Sequence, residues 1–182
     1  MRALLGSIFV IAALAGTARA GGEQGFLEFD GTLIKPTGED GTVSDSIGYG
    51  AELRMLDNRE VLTIGVGGFF GIGQEDGGKT MRDVYDFHFN IGIKPEGTRD
   101  SMLIPFMEIG LNVLAVTTRE PKGDIVGGTT LGLNARAGFM GHIGDKWLYR
   151  ASASYLGAIV PGTGDDLGGV VLQVGVGRIL FD

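Results

Sequence analysis

The 182-residue chain has 22 acidic and 15 basic residues, no cysteine and 34 glycines. Without cysteine there is no disulfide framework and no lipid anchor on an N-terminal Cys. The acidic balance, with few basic clusters, argues against nucleic acid as a partner.

Residues 1–20 have the form of a secretory leader. Arg2 supplies the positive n-region, an apolar run follows, and Ala18-Arg19-Ala20 is an A-x-A cleavage signal. Taking these 20 residues from 182 leaves 162, with 13 basic and 22 acidic groups and a net charge of −9. That is a one-domain length, so residues 21–182 are read as a single domain. No later apolar run reaches the ~18 residues of a membrane helix, so any membrane residence must come from strands.

Eight segments then alternate apolar and polar residues, at 26–35, 46–56, 61–73, 84–94, 103–117, 130–142, 147–159 and 169–181. Period two is the signature of a strand with two different faces. The fourth shows it best: Tyr85, Phe87, Phe89, Ile91 and Ile93 alternate with Asp86, His88, Asn90, Gly92 and Lys94. In the third, Gly68 and Phe69 blur the alternation, and Gly65, Gly67 and Gly71 read as small inward residues rather than a phosphate-binding loop. Tight turns at 57–60 and 143–146, and a somewhat longer one at 95–101, alternate with longer loops at 36–45, 74–83, 119–127 and 161–168. Short turns alternating with longer loops is the pattern of outer-membrane barrels, with the turns in the periplasm and the loops outside.

Almost no charge falls on the apolar face of any segment, whereas a soluble barrel would carry Lys and Glu over its outside. The fold expected is all-β: an eight-stranded antiparallel up-and-down transmembrane β-barrel. A soluble periplasmic ligand-binding barrel is the alternative. Tyr49, Phe70, Tyr85 and Tyr155 fall toward one end of the span, and Phe139, Trp147 and Tyr149 toward the other. Two such sets are the aromatic girdles expected at two membrane interfaces.

The terminal L-Q-V-G-V-G-R-I-L-F-D, Leu172 to Asp182, resembles the last strand that barrel-insertion machinery reads, with Asp182 in place of a terminal aromatic and Arg178 in place of an apolar residue. In architecture and rhythm the whole mature chain resembles the small eight-stranded outer-membrane barrels of the outer-membrane protein A type. That resemblance implies a monomer in the outer membrane of a Gram-negative cell. Its partners would be outer-membrane lipid and lipopolysaccharide, with the insertion machinery during assembly and no nucleic acid.

Counted from the turns, the inward groups Glu28, Asp30, Glu52, Arg54, Asp86, His88, Glu108, Arg136 and Arg150 form an interior ion-pair network. An unpaired buried charge costs several kcal/mol, so these groups should pair. They read as a plug that seals the barrel. By resemblance to the family, they also read as a gate in which carboxylates exchange arginine partners to open a narrow water path. A lipid A-modifying enzyme would need a His and a Ser on the lipid-facing rim. His88, Ser152 and Ser154 all face inward, so no enzyme, cofactor or metal is expected. The inward Asp86, His88 and Ser154 have no route for a lipid chain. The function expected is envelope structure, surface contact or limited small-solute passage.

Overall fold

The computed structural model describes residues 24–37, 47–59, 61–75, 80–95, 101–119, 125–158 and 168–181. The leader read at 1–20 and the middles of the longer loops lie outside these residues. Eight strands follow in order: β1 (Gln24–Thr37), β2 (Ile47–Asn58), β3 (Leu62–Glu75), β4 (Thr80–Ile93), β5 (Ile104–Arg119), β6 (Ile125–Ile143), β7 (Trp147–Ala158) and β8 (Gly168–Phe181). Each pairs antiparallel with the next, and β8 pairs with β1 to close a barrel. Closure leaves no edge strand, so every strand has a ladder on both sides.

The alternation sorts side chains as the sequence implies. In β1, Leu27, Phe29 and Leu33 are exposed on the outside, while Phe26, Glu28, Asp30, Thr32 and Ile34 are buried inside. Apolar side chains cover the described outer wall; Ile109 is 72% exposed and Val174 69%. An apolar surface that wraps a whole molecule far exceeds the few hundred Å² a water-soluble monomer tolerates. It fits the lipid-facing wall of a transmembrane barrel. Charged residues on that wall lie near strand ends: Lys35, Asp83 and Arg119 toward the longer loops (the loop end), Asp57 and Arg178 toward the short turns (the turn end).

The strands outrun the sequence reading at the loop end. β4 begins at Thr80 rather than 84, β5 runs to Arg119 rather than 117, and β6 begins at Ile125 rather than 130. Ladder pairing simply continues, from Met81 opposite Arg119 and from Arg119 opposite Ile125. Alternation fades there because hydrogen bonds, not a buried face, hold a ribbon that has left the apolar zone. Gly68 and Phe69 cause no break either. Gly68 pairs with Leu53 and Phe87, Phe69 with Glu52 and Asp86, and Phe69 points inward.

At the turn end, Arg59 N–H donates to the Leu62 carbonyl at 2.9 Å. Gly144 takes a φ of +62° in the turn between β6 and β7, a conformation glycine adopts without a Cβ penalty. The inward glycines have another reason. An eight-stranded interior is only wide enough for side chains to fill, so a long side chain on one strand lies over a glycine on its neighbour. A Cβ on Gly65 would stand 2.2 Å from Arg54 Nη2, one on Gly92 2.3 Å from Glu108 Cγ, and one on Gly177 2.9 Å from Glu28 Cγ.

Gly138 is tighter still, because backbone bounds it: an added Cβ would lie 2.2 Å from the Ala151 carbonyl oxygen and 2.7 Å from Ser152 Cβ. Gly138→Ala should therefore destabilise the barrel by about 1–3 kcal/mol, the usual cost of overpacking. Urea unfolding in detergent micelles checks this, and an unchanged midpoint contradicts the close approach.

Candidate functional site

The barrel interior is built in three layers. At the turn end Phe26, Leu56, Ile104, Phe106, Met140 and Leu148 form one apolar cluster, with Ile179 against it. At the loop end Ile34, Phe69, Leu114, Leu156 and Val171 form a second, joined by Val84. Between them lies the charged layer, where Glu28, Glu52, Arg54, His88, Glu108 and Arg150 are at most 2% exposed.

The short contacts run across the interior rather than along ladders. Arg54 on β2 donates from Nη2 to Glu108 Oε1 on β5 at 2.7 Å. Arg136 on β6 grips Glu52 on β2 with both terminal nitrogens, at 3.1 and 2.9 Å. Arg150 on β7 reaches Glu28 Oε2 on β1 at 2.9 Å and Glu108 Oε2 at 3.1 Å. By contrast, the directly cross-strand pairs Glu28–Arg54 and Glu108–Arg136 stand at 3.9 and 4.0 Å. Charge-assisted bonds at 2.7–2.9 Å are the strong ones, so among the arginine–carboxylate pairs the stronger span the interior rather than join adjacent strands.

Neutral groups complete the layer. Thr63 Oγ1 and Asn90 Nδ2 donate to Glu108 at 3.3 and 3.5 Å. The Gln173 amide donates to Glu52 Oε2, while its carbonyl accepts from Ser152 and Ser154 at 3.1 and 3.4 Å. Asn112 donates to Asp86 Oδ1 at 2.9 Å. The Arg150 guanidinium also stacks 4.3 Å above the Phe106 ring, joining the charged layer to the turn-end plug.

His88 stands between two carboxylates, with Nδ1 2.6 Å from Asp86 Oδ2 and Nε2 3.3 Å from Glu52 Oε1. A neutral imidazole has one N–H and donates to one of them, whereas the imidazolium donates to both. Ser154 donates to Gln173 while His88 contacts Asp86 and Glu52, so the hydrogen bonds shown do not join Asp86, His88 and Ser154 as a nucleophile and its base. His142 faces inward at the turn end, its ring 5.9 Å from that of Phe26.

Of the nine residues read as an interior network, eight make ion pairs with one another. Asp30 is buried in the same layer and appears in none of these pairs. The seven aromatics read as girdles all face outward. Phe70 and Tyr85 pack at 5.1 Å between ring centroids in the loop-end half, where Tyr49 and Tyr155 also stand. Phe139, Trp147 and Tyr149 lie in the turn-end half, with Arg178 6.0 Å from the Trp147 ring and the Tyr149 hydroxyl donating to the Met102 carbonyl.

Sequence reasoning missed both apolar plugs, the bridging amides Gln173 and Asn112, and Thr63. The signal was available in parity, since Phe26, Leu56, Phe106 and Leu148 share the register of the charged residues.

These features define a closed, eight-stranded transmembrane barrel of the outer-membrane type, its interior filled by a braced charged layer. No family model and no curated protein sequence matches the chain. Solved structures do match. Neisserial surface protein A superposes with a TM-score of 0.71 at 15% identity, covering 88% of this chain and all of that one. Ail, the attachment invasion locus protein of Yersinia pestis, gives 0.58 at 11%, covering 87% and 97%. Outer membrane protein OprG of Pseudomonas aeruginosa gives 0.58 at 13%, covering 89% and 97%. At these identities the likeness is one of fold.

The bracing pairs make a direct prediction. Arg136→Ala leaves Glu52 buried without its bidentate partner and should cost roughly 3–5 kcal/mol, as loss of one member of a buried pair does. The readout is the denaturant midpoint in micelles, or the temperature at which the compact gel band is lost. An unchanged value would mean the pair does not brace the barrel.

Proposed function

We propose that this is an integral outer-membrane protein that neither conducts nor catalyses, and that it acts through the loops it presents outside. The observation that carries the reading is the pair of apolar plugs on either side of the charged layer. Water or a polar solute would have to cross both plugs and break cross-interior pairs between them. Exchange of arginine partners within the charged layer would leave both plugs in place, which supports the structural reading over the gate and, with it, envelope structure and surface contact over solute passage.

Catalysis on a membrane lipid needs a nucleophile and base that the lipid can reach. His88 and both inward serines sit behind the wall, with their hydrogen bonds directed to other interior side chains. Among the folds that match, one is named a surface protein and one an attachment protein, which supports surface contact over transport. The partners that follow are outer-membrane lipid and lipopolysaccharide around the wall, and the barrel-insertion machinery during assembly, for a monomer. The two levels of outward aromatics would mark the membrane interfaces.

Reconstituted in a planar bilayer, the purified barrel is expected to give no discrete conductance steps, and overproduction is expected to leave the mass spectrum of extracted lipid A unchanged. Regular steps that vanish in Arg136→Ala would overturn the closed-barrel reading. A new lipid A species would overturn the non-enzymatic one.

A further inference from the structure

The charged layer does not balance. Glu28, Asp30, Glu52, Asp86 and Glu108 are five acids, facing Arg54, Arg136 and Arg150; counting His88 as a cation still leaves four bases against five acids. The pairing shows where the surplus lies. Glu28 and Glu108 each contact two or more arginines, Glu52 has Arg136 and His88, and Asp86 has His88. Asp30 is 1% exposed, and neither of its carboxylate oxygens has a hydrogen-bond partner in the protein.

Its surroundings sharpen the problem. Directly across the ladder on β2 is Glu52, itself an acid, and two residues back on the same face of β1 is Glu28. On the other side, β8 offers only backbone: Asp30 faces Gly175, where a Cβ would stand 1.7 Å from Asp30 Oδ1. Gln173, the next inward residue of β8, commits its amide to Glu52. From the remaining strands the inward groups are Gly65 and Gly67 on β3, Asp86 and His88 on β4, Glu108 on β5, Arg136 on β6 and Arg150 on β7, whose basic members are held by other carboxylates. Lys94 is buried at the turn end, just past β4. Like charges directly opposite on a ladder are destabilising, and an isolated buried carboxylate costs several kcal/mol.

We propose that Asp30 forms a buried binding site for one exchangeable positive charge, a proton or a sodium ion, taken up as the barrel closes. Glu28 Oε1 and Thr32 Oγ1, on the same inward face of β1 and likewise without hydrogen-bond partners in the protein, add oxygens beside it. The charge is monovalent: among the described residues no three His, Asp or Glu side chains converge as divalent-metal ligands do. The site couples the stability of an otherwise sealed barrel to its ionic surroundings.

The test compares urea unfolding of the full barrel and of Asp30→Asn in micelles, in sodium chloride and in choline chloride at matched ionic strength, across pH. Asp30→Asn keeps the shape and removes the charge, so its midpoint is expected to equal or exceed that of wild type. If the bound charge is a proton, the folded state holds one more than the unfolded state, and stability falls as pH rises. The wild-type midpoint then drops with pH more steeply than that of Asp30→Asn, whose slope keeps only what the other titrating groups contribute. If it is sodium, the wild-type midpoint is higher in sodium than in choline, and the variant loses the difference. The assigned carboxyl ¹³C resonance of Asp30 in the wild-type barrel reports the same thing without a variant, protonated in the first case and sodium-responsive in the second. A free, ionised Asp30 indifferent to sodium would overturn the proposal. So would an Asp30→Asn barrel that unfolds at distinctly lower urea, or one that keeps the full pH and sodium dependence of wild type.

Discussion

Three arginines on β2, β6 and β7 close their shortest contacts with carboxylates on strands that are not their ladder neighbours. Arg136 and Glu52 are 84 residues apart in sequence, and Arg150 and Glu28 are 122 apart. Ladder hydrogen bonds hold each strand to the next, but they are indifferent to what fills the middle. The cross-interior pairs exist only when all eight strands have closed in the correct register, because a one-residue slip of a strand would turn its own inward charges toward lipid. Placing such an arginine in hydrocarbon costs about 2–4 kcal/mol at the midplane, and a carboxylate less. The same residues therefore favour the closed barrel and penalise its register errors.

The rest of the interior follows from that layer. Long charged side chains need floor space, and the inward glycines of β3, β4 and β8 provide it beneath Arg54, Glu108 and Glu28. A charged layer open to solvent would be hydrated and its pairs weakened. The plugs around Phe26 and Phe69 keep the pairs in a low-dielectric setting, and Arg150 over Phe106 is the seam between the two materials. Glu108, within 4.0 Å of Arg54, Arg136 and Arg150, is the hub.

Much of this was legible in the sequence, for a physical reason. A wall with lipid on one side and a narrow interior on the other imposes strict alternation, so strand number, the lipid-facing set Phe29, Phe87 and Ile109, and the nine inward charged residues could all be read from period two. What could not be read depends on three-dimensional closure. Which arginine meets which carboxylate is set by strand tilt and stagger, so that Arg54 finds Glu108 rather than its ladder neighbour Glu28. The plugs were hidden because Ile104, Phe106 and Leu148 sit near strand ends where both faces are apolar, and alternation by residue class loses contrast. The ribbons at Thr80 and Ile125 were hidden because no apolar-polar alternation runs through Thr-Met-Arg-Asp at 80–83 or Ile-Val-Gly-Gly at 125–128. Phe69 looked like a break in register because an aromatic was not expected to point inward. Asp30 could be placed in the layer, but its lack of a partner emerges only when every other pair is drawn.

The central claim is that pairs spanning the interior hold the barrel closed, and a double-mutant cycle on Arg136 and Glu52 tests it most directly. Arg136→Gln, Glu52→Gln and the double variant would be unfolded reversibly in lipid vesicles beside the wild type. The account predicts that each single change is costly and that the double variant regains part of the loss, a coupling toward the upper end of the roughly 0.5–3 kcal/mol seen for contacting residues. Strictly additive losses would mean that the two side chains do not sustain one another, and the braced interior would be contradicted.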